Sequence, residues 1–138
     1  MAGYLLLLGM SSGHPEFSNG NIVYMKTHQL IFHLKDADKF HNIRRGLKTV
    51  ETRAYSPSYA EIYEGDVLEI SCGKDSIIKK VSSVAKYKSI TELFKEIDYR
   101  KVSPEVSNEQ DAISVYDSFP GYSERIAKDG ILAFTLSE

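Results

Sequence analysis

Gly46-Leu47-Lys48-Thr49-Val50-Glu51-Thr52-Arg53 sets three long charged side chains into a stretch that otherwise reads as a buried β-strand. A short amphipathic helix over 37–45 precedes it, with Phe40, Ile43 and Leu47 at i, i+3 and i+7 and Asp36 available as its N-cap. Gly46 is placed to end that helix in the left-handed conformation, which glycine adopts without a Cβ penalty. Side chains alternate faces along a strand, so Glu51 and Arg53 share one face with Thr49, and Lys48, Val50 and Thr52 share the other. Lys48, at the mouth of the strand, can reach round the rim to the Glu51/Arg53 face. The competing reading is an exposed ion pair at a strand start.

The rest of the chain divides into short elements. Residues 29–34 and 48–55 read as the first two strands, the second stopped by Ser56-Pro57. Gly65-Asp66 opens a strand over 67–72, and Gly73-Lys74-Asp75 is a turn into a longer strand over 77–87. Asp66 reads as a residue that caps its own turn rather than as part of a site. Ser89-Ile90-Thr91-Glu92 fits a capping box, with Leu93, Phe94 and Ile97 as the buried face of a short helix. Ser107-Asn108-Glu109-Gln110 repeats that signal before a second helix lined by Ala112, Ile113, Tyr116 and Phe119 and ended by Pro120-Gly121. Residues 131–136 form a nearly continuous apolar strand, fit for a central position. Five to six strands with short helices between them make an α+β mixed β-barrel.

A chain of 138 residues, 42% hydrophobic and 26% charged, is most simply one soluble domain. The lone Cys72 cannot form an internal disulfide, which points to a reducing, cytoplasmic setting, and its place at a strand end marks it as a core filler. His14, His28, His33 and His41 show no zinc spacing, so no metal or other cofactor is expected. No run approaches the roughly 20 apolar residues of a membrane span. Residues 1–24 read differently from the rest, and Met25 is a plausible natural start. They are set apart as a leader, added in cloning or by upstream translation, with an extra edge strand over 3–8 as the alternative; residues 25–138 are the domain proper.

The net charge of −2 hides an asymmetry. Residues 35–53 carry Lys35, Lys39, Arg44, Arg45, Lys48 and Arg53 against Asp36, Asp38 and Glu51, a local excess of three positive charges. Residues 91–138 carry a net −5, and there the Arg100/Lys101 pair is offset by Glu96, Asp98 and Glu105. A local basic field on an acidic chain suits a compact anion or one stretch of RNA backbone rather than a nonspecific duplex binder.

The octapeptide resembles the signature of activating signal cointegrator homology (ASCH) domains, small β-barrels of the PUA-like group of RNA-binding modules. Residues 62–70, Phe119-Pro120-Gly121-Tyr122-Ser123 and 130–134 are similar to later segments of that family, in the same order. The resemblance implies a PUA-like barrel over roughly 28–136. A barrel of this size is filled by its own side chains, so a ligand would bind in a rim cleft lined by Lys48, Glu51 and Arg53 and roofed from the 99–122 region. Lys48 or Arg53 would meet phosphate or ribose, and Glu51 would read an exocyclic amine. Arg44 extends the basic side, and Tyr55, Tyr59, Tyr116 or Tyr122 supply stacking surfaces. Some relatives are amidohydrolases acting on acylated cytidine through a Lys-Thr-x-Thr-x-Arg pattern. Here Glu51 stands where their nucleophilic threonine falls, so the implied hydrolase would have to use Lys48 and Glu51 to activate water. Three readings stand: a module binding RNA or a nucleoside or nucleotide, an amidohydrolase on an N4-acylated cytidine-type nucleoside, and an interaction domain whose triad braces the barrel. Nothing in the sequence sets an oligomeric state.

Overall fold

The computed structural model of the chain describes residues 13–18 and 21–138, with side chains described from Met25 onward. The alternative strand over 3–8 lies outside the described residues. Among the described residues there are six strands, β1 (Gly13–Ser18), β2 (Asn21–Phe32), β3 (Val50–Ala54), β4 (Val67–Cys72), β5 (Asp75–Tyr87) and β6 (Ile131–Ser137). Five α-helices among those residues join them: α1 (Ala37–Arg44), α2 (Ile90–Glu96), α3 (Tyr99–Val102), α4 (Glu109–Val115) and α5 (Tyr122–Asp129).

β1 and the first part of β2 form an antiparallel hairpin that runs through Met25 to Lys26. From Thr27 onward β2 pairs with β4 instead, in parallel. The main sheet therefore has the order β2-β4-β5-β6-β3, antiparallel everywhere except between β2 and β4. Its edges, β2 and β3, are four inter-strand steps apart, about 19 Å in a flat sheet. The Arg53 guanidinium on β3 nevertheless lies 5.0 Å from the Phe32 ring on β2. Such an approach requires the sheet to curl into a half-barrel, as expected for a mixed barrel-like α+β fold.

The curl creates two apolar layers. Leu30, Phe32, Leu68, Ile70, Val81, Leu132, Phe134 and Leu136 fill its concave side together with Phe40 and Ile43 of α1. Val50, Ala54, Ile131 and Ala133 face the other way, against Leu93, Phe94, Val102, Ala112, Tyr116 and Ile126 from the helices. Alternate residues of β6 thus enter opposite layers and both are buried, which explains its unbroken apolar run.

Several boundaries differ from the sequence reading. β3 starts at Val50 rather than Lys48 because the N–H groups of Leu47 and Lys48 donate to Asn42 O, and that of Thr49 to Lys101 O. Asp36 makes no cap bond from its side chain and faces Lys39 at 3.7 Å instead. The second helix is capped by Asn108, not Ser107: Asn108 Oδ1 accepts from Asp111 N–H at 2.8 Å. The stretch to Phe119 breaks into α4 and a 3-10 turn, Tyr116–Ser118, and Gly121 leads into α5, which was not anticipated. Ser89 caps α2 as expected.

Two glycines make turns that other residues resist. Gly46 (φ +78°) donates to Ile43 O while Leu47 N–H donates to Asn42 O, the paired bonds of a Schellman helix end. Gly130 (φ +87°) joins α5 to β6, and a Cβ there would stand 2.7 Å from Tyr87 O. Gly46→Ala, with open space around the added carbon, should cost about 1–2 kcal/mol for the left-handed backbone alone. Gly130→Ala should cost distinctly more, and urea denaturation of the two variants measures the difference.

Candidate functional site

The Schellman turn at Gly46 throws the chain inward, so that Lys48 enters the protein with only 5% of its surface exposed. Its ammonium donates to Val50 O at 3.0 Å and to Val102 O, at the end of α3, at 2.7 Å. The third direction is taken by Glu51 Oε1 at 3.2 Å. Its ammonium thus meets three oxygens, two through hydrogen bonds and that of Glu51 as an ion pair.

Glu51, 4% exposed, is as completely engaged. Oε1 also accepts from Thr52 N–H at 3.0 Å, and Oε2 accepts from Arg53 Nε at 3.2 Å and Nη2 at 3.0 Å. Burial pushes this carboxyl up, but the charges of Lys48 and Arg53 and the bonds from Arg53 and Thr52 together hold it below its ordinary value. Arg53 in turn donates from Nη1 to the Tyr59 hydroxyl at 3.2 Å and lies over the rings of Phe32 and Tyr59. The three charges that the octapeptide spaces along one strand thus converge, with Lys48 reaching round the strand mouth.

A cleft of about 330 Å³ opens above this network. Phe32, Tyr59, Tyr116, Phe119 and Tyr122 wall it, and Val102 to Arg125 supply its roof. Five cationic side chains (Lys35, Lys39, Lys48, Arg53, Arg125) meet three carboxylates (Asp36, Glu51, Glu105), so the lining is net positive. Along one lip, two adjacent rings are flanked by cations: Lys39 Nζ is 5.7 Å from the Phe119 ring, Phe119 is 5.3 Å from Tyr122, and Arg125 is 5.3 Å from Tyr122. Deeper in, Thr52 Oγ1 and Tyr116 Oη share a 2.6 Å hydrogen bond. Burial pushes the Tyr116 phenol well above its ordinary value, and that of Tyr122 upward as well.

Of the residues singled out in the sequence, Lys48, Glu51, Arg53 and Tyr122 line this one cleft, as do Tyr59 and Tyr116. Arg44 and Tyr55 are not brought to it. Arg44 is exposed on α1, engaging His41 Nδ1 at 2.7 Å. Tyr55 packs against the concave core with Lys86 over its ring at 4.2 Å. Arg100 is likewise outside the lining and forks onto Asp98 on the surface. Asp66 is buried away from the cleft: it accepts from Tyr63 N–H, as a turn cap should, and also from Lys26 N–H and His28 Nε2 across to β2. Cys72 is buried.

The sequence reading missed Phe32, Lys39 and Arg125 as parts of the cleft, and it placed the roof over 99–122 without naming Ser103 or Phe119 in it. Phe119 was read as a helix face, and α3, whose end carries Ser103, was not recognised. Its signal was Asp98 as cap, accepting from Arg100 N–H at 2.9 Å. Among the described residues, no group of His, Cys, Asp and Glu side chains could hold a metal ion, and no helix is long and apolar enough to cross a membrane.

Fold and cleft together define a small α+β half-barrel with a positively charged, aromatic-walled cleft at its closing seam. The hypothetical protein PH0355, known from a crystal structure, superposes with a TM-score of 0.65 at 24% identity, over 80% of this chain and 98% of its own. Protein PF0455 of Pyrococcus furiosus, known from solution NMR, gives 0.62 at 24% identity, over 80% and 96%. At this identity the likeness is one of fold. No protein-family model and no curated protein matches the chain.

Removing Glu51 leaves the buried Lys48 ammonium and the half-buried Arg53 guanidinium without their shared counter-ion. Glu51→Gln should therefore lower stability by about 3–5 kcal/mol. Glu51 also sets a pH dependence. Because its folded pKa lies below the unfolded one, the unfolded chain takes up this proton first as pH falls. The contribution is whole above the ordinary value of 4.5 and is lost as pH drops through the lower folded value. Urea denaturation across pH 3–6 should show that part of the acid slope in the wild type and not in Glu51→Gln.

Proposed function

We propose that this chain is an ASCH-like, PUA-like module whose cleft binds a nucleotide or a short stretch of single-stranded RNA. The observation that carries the reading is the adjacent ring pair Phe119 and Tyr122 along the cleft lip, flanked by Lys39 on one side and Arg125 on the other. Rings offer stacking surfaces to any base, and the flanking cations suit the phosphates attached to them. The net positive lining favours an anion, while the acidic remainder of the chain disfavours loose association with duplexes. In this reading Lys48 and Glu51 act as braces that hold Arg53 and the roof in place. Ligand contact falls to Arg53, the rings and the rim cations. A buried, unpaired Cys72 suits the cytoplasm as the working compartment.

The amidohydrolase reading has less support. It needs Glu51 to take a proton from water, whereas three hydrogen bonds and the Lys48 ion pair keep this carboxylate below its ordinary value, which makes it a weak base.

Fluorescence anisotropy with a labelled single-stranded RNA, measured across a salt series, tests the proposal. Lys39→Ala and Arg125→Ala should each reduce the slope of log affinity against log salt by about 1. Phe119→Ala and Tyr122→Ala should weaken binding by about 1–3 kcal/mol with that slope unchanged. A wild-type protein that binds neither RNA nor mononucleotides at low salt would overturn the reading.

A further inference from the structure

The ion network at the floor of the cleft does not balance. Lys48 and Arg53 bring two positive charges and share one carboxylate, Glu51. Of the other carboxylates in the lining, Asp36 faces Lys39 at 3.7 Å and Glu105 is exposed. Among the described residues, one positive charge is therefore left at the floor without a counter-ion. Burial there reduces the screening that water gives a surface cation, so an anion is attracted strongly.

Arg53 is the group that can meet such an anion. Lys48 is 5% exposed, and its ammonium already faces three oxygens of the protein. The half-buried guanidinium turns its Nε and Nη2 toward Glu51 and donates from Nη1 to Tyr59. One N–H is left on each terminal nitrogen, the two atoms from which an arginine grips two oxygens of one phosphate or carboxylate. Thr52, Tyr116 and Ser103 line the cleft with buried hydroxyls. A hydroxyl donates or accepts as its partner requires, so these three accommodate an anion without selecting it. The unbalanced charge selects it.

The floor is also closed. Arg53 reaches across the seam from β3, 5.0 Å from the Phe32 ring on β2 and 5.6 Å from that of Tyr59. The cleft holds about 330 Å³, at the small end of the roughly 300–1,000 Å³ range of small-molecule pockets. A strand cannot thread past Arg53, and an internal phosphate that reached it would need room for chain on both sides. A terminal phosphate needs room for one nucleotide. We infer that the cleft, given the nucleotide-binding reading on which this rests, recognises ends: Arg53 takes a terminal phosphate monoester, and the attached base lies against Phe119 and Tyr122. The phosphate belongs to a free mononucleotide or to the phosphorylated end of an RNA strand. In a strand the next phosphates fall back to the lip, beside Lys39 and Arg125.

Isothermal titration of the full chain at fixed low salt tests the inference. The ligands are UMP and uridine, and an RNA tetramer with a 5′-phosphate, a 3′-phosphate or hydroxyls at both ends, with inorganic phosphate as reference. UMP should bind about tenfold to a hundredfold tighter than uridine, the worth of charge-assisted hydrogen bonds. A phosphorylated tetramer should exceed the hydroxyl-ended one by a similar factor, although both carry the same internal phosphates. Preference in the UMP–uridine pair alone would assign the site to free mononucleotides, and preference among the tetramers to RNA ends. Arg53→Gln, which leaves Lys48 and Glu51 as a balanced pair, should remove the preference, with its melting temperature showing that it folds. Lys39→Ala and Arg125→Ala should weaken all tetramers alike and keep it. No preference in either series of the wild type, or one that survives in folded Arg53→Gln, would overturn end recognition and leave nucleotide binding standing. If Arg53→Gln fails to fold, the wild-type series decides alone. UMP and tetramers no tighter than inorganic phosphate would overturn the nucleotide reading, and end recognition with it.

Discussion

A buried carboxylate between a buried lysine and a half-buried arginine closes this fold. Taking each charge out of water costs several kcal/mol, and only dense, well-aimed hydrogen bonding offsets that cost. Glu51 accepts three hydrogen bonds and pairs with Lys48, and much of the network's bonding is to main chain: Val50 O, Val102 O and the Thr52 N–H. The ions are thereby fixed to the backbone rather than only to one another. Lys48 ties the edge strand β3 to the end of α3, and Arg53 carries β3 across the seam to Phe32 on β2. The curl of the sheet and the position of the roof both depend on that small cluster.

The same cluster divides the charges of the cleft into two populations. Lys48 and Glu51 are consumed internally, and Arg53 only partly. Lys35, Lys39 and Arg125 stand at or near the rim, where their charge is more open to solvent than that of Lys48. Depth in the cleft thus separates two tasks, with fixed, directed hydrogen bonds inside and solvated charge outside. Lys39 belongs to both, since Asp36 and the Phe119 ring hold it in place.

What the sequence made legible was local. The helix-glycine-strand order around Gly46, the convergence of Lys48, Glu51 and Arg53, the cap at Ser89 and the doubly buried β6 all follow from residues within a few positions of one another. What it hid was long-range or very short. The parallel pairing of β2 with β4 places β3 at the far edge of the sheet, and no periodicity encodes that. α3 has four residues, too few to show a helical repeat, so Ser103 had no element to be attached to. The misplaced cap at Ser107 arose because Asn108, its neighbour, is an equally good cap and only the register of the helix decides. Asp66 was legible as a turn cap, but its partners on β2 lie 38 and 40 residues away. The hairpin of β1 is written in Gly, His, Pro and Ser, a composition that reads as loop.

The bond from Lys48 to Val102 O joins residues 54 apart, and β3 finds its partner β6 across most of the chain, Val50 against Thr135. Contacts of such separation carry a large loop-closure cost, because the loop between them must be closed before they return any stability. The cleft is made from these long-range contacts. No partly folded intermediate that lacks the β3–β6 seam contains it, so an occupant distinguishes the finished protein from everything that precedes it on the folding route. Occupancy then acts as a one-sided weight on the folding equilibrium, worth about 2.7 kcal/mol at a ligand concentration a hundred times Kd.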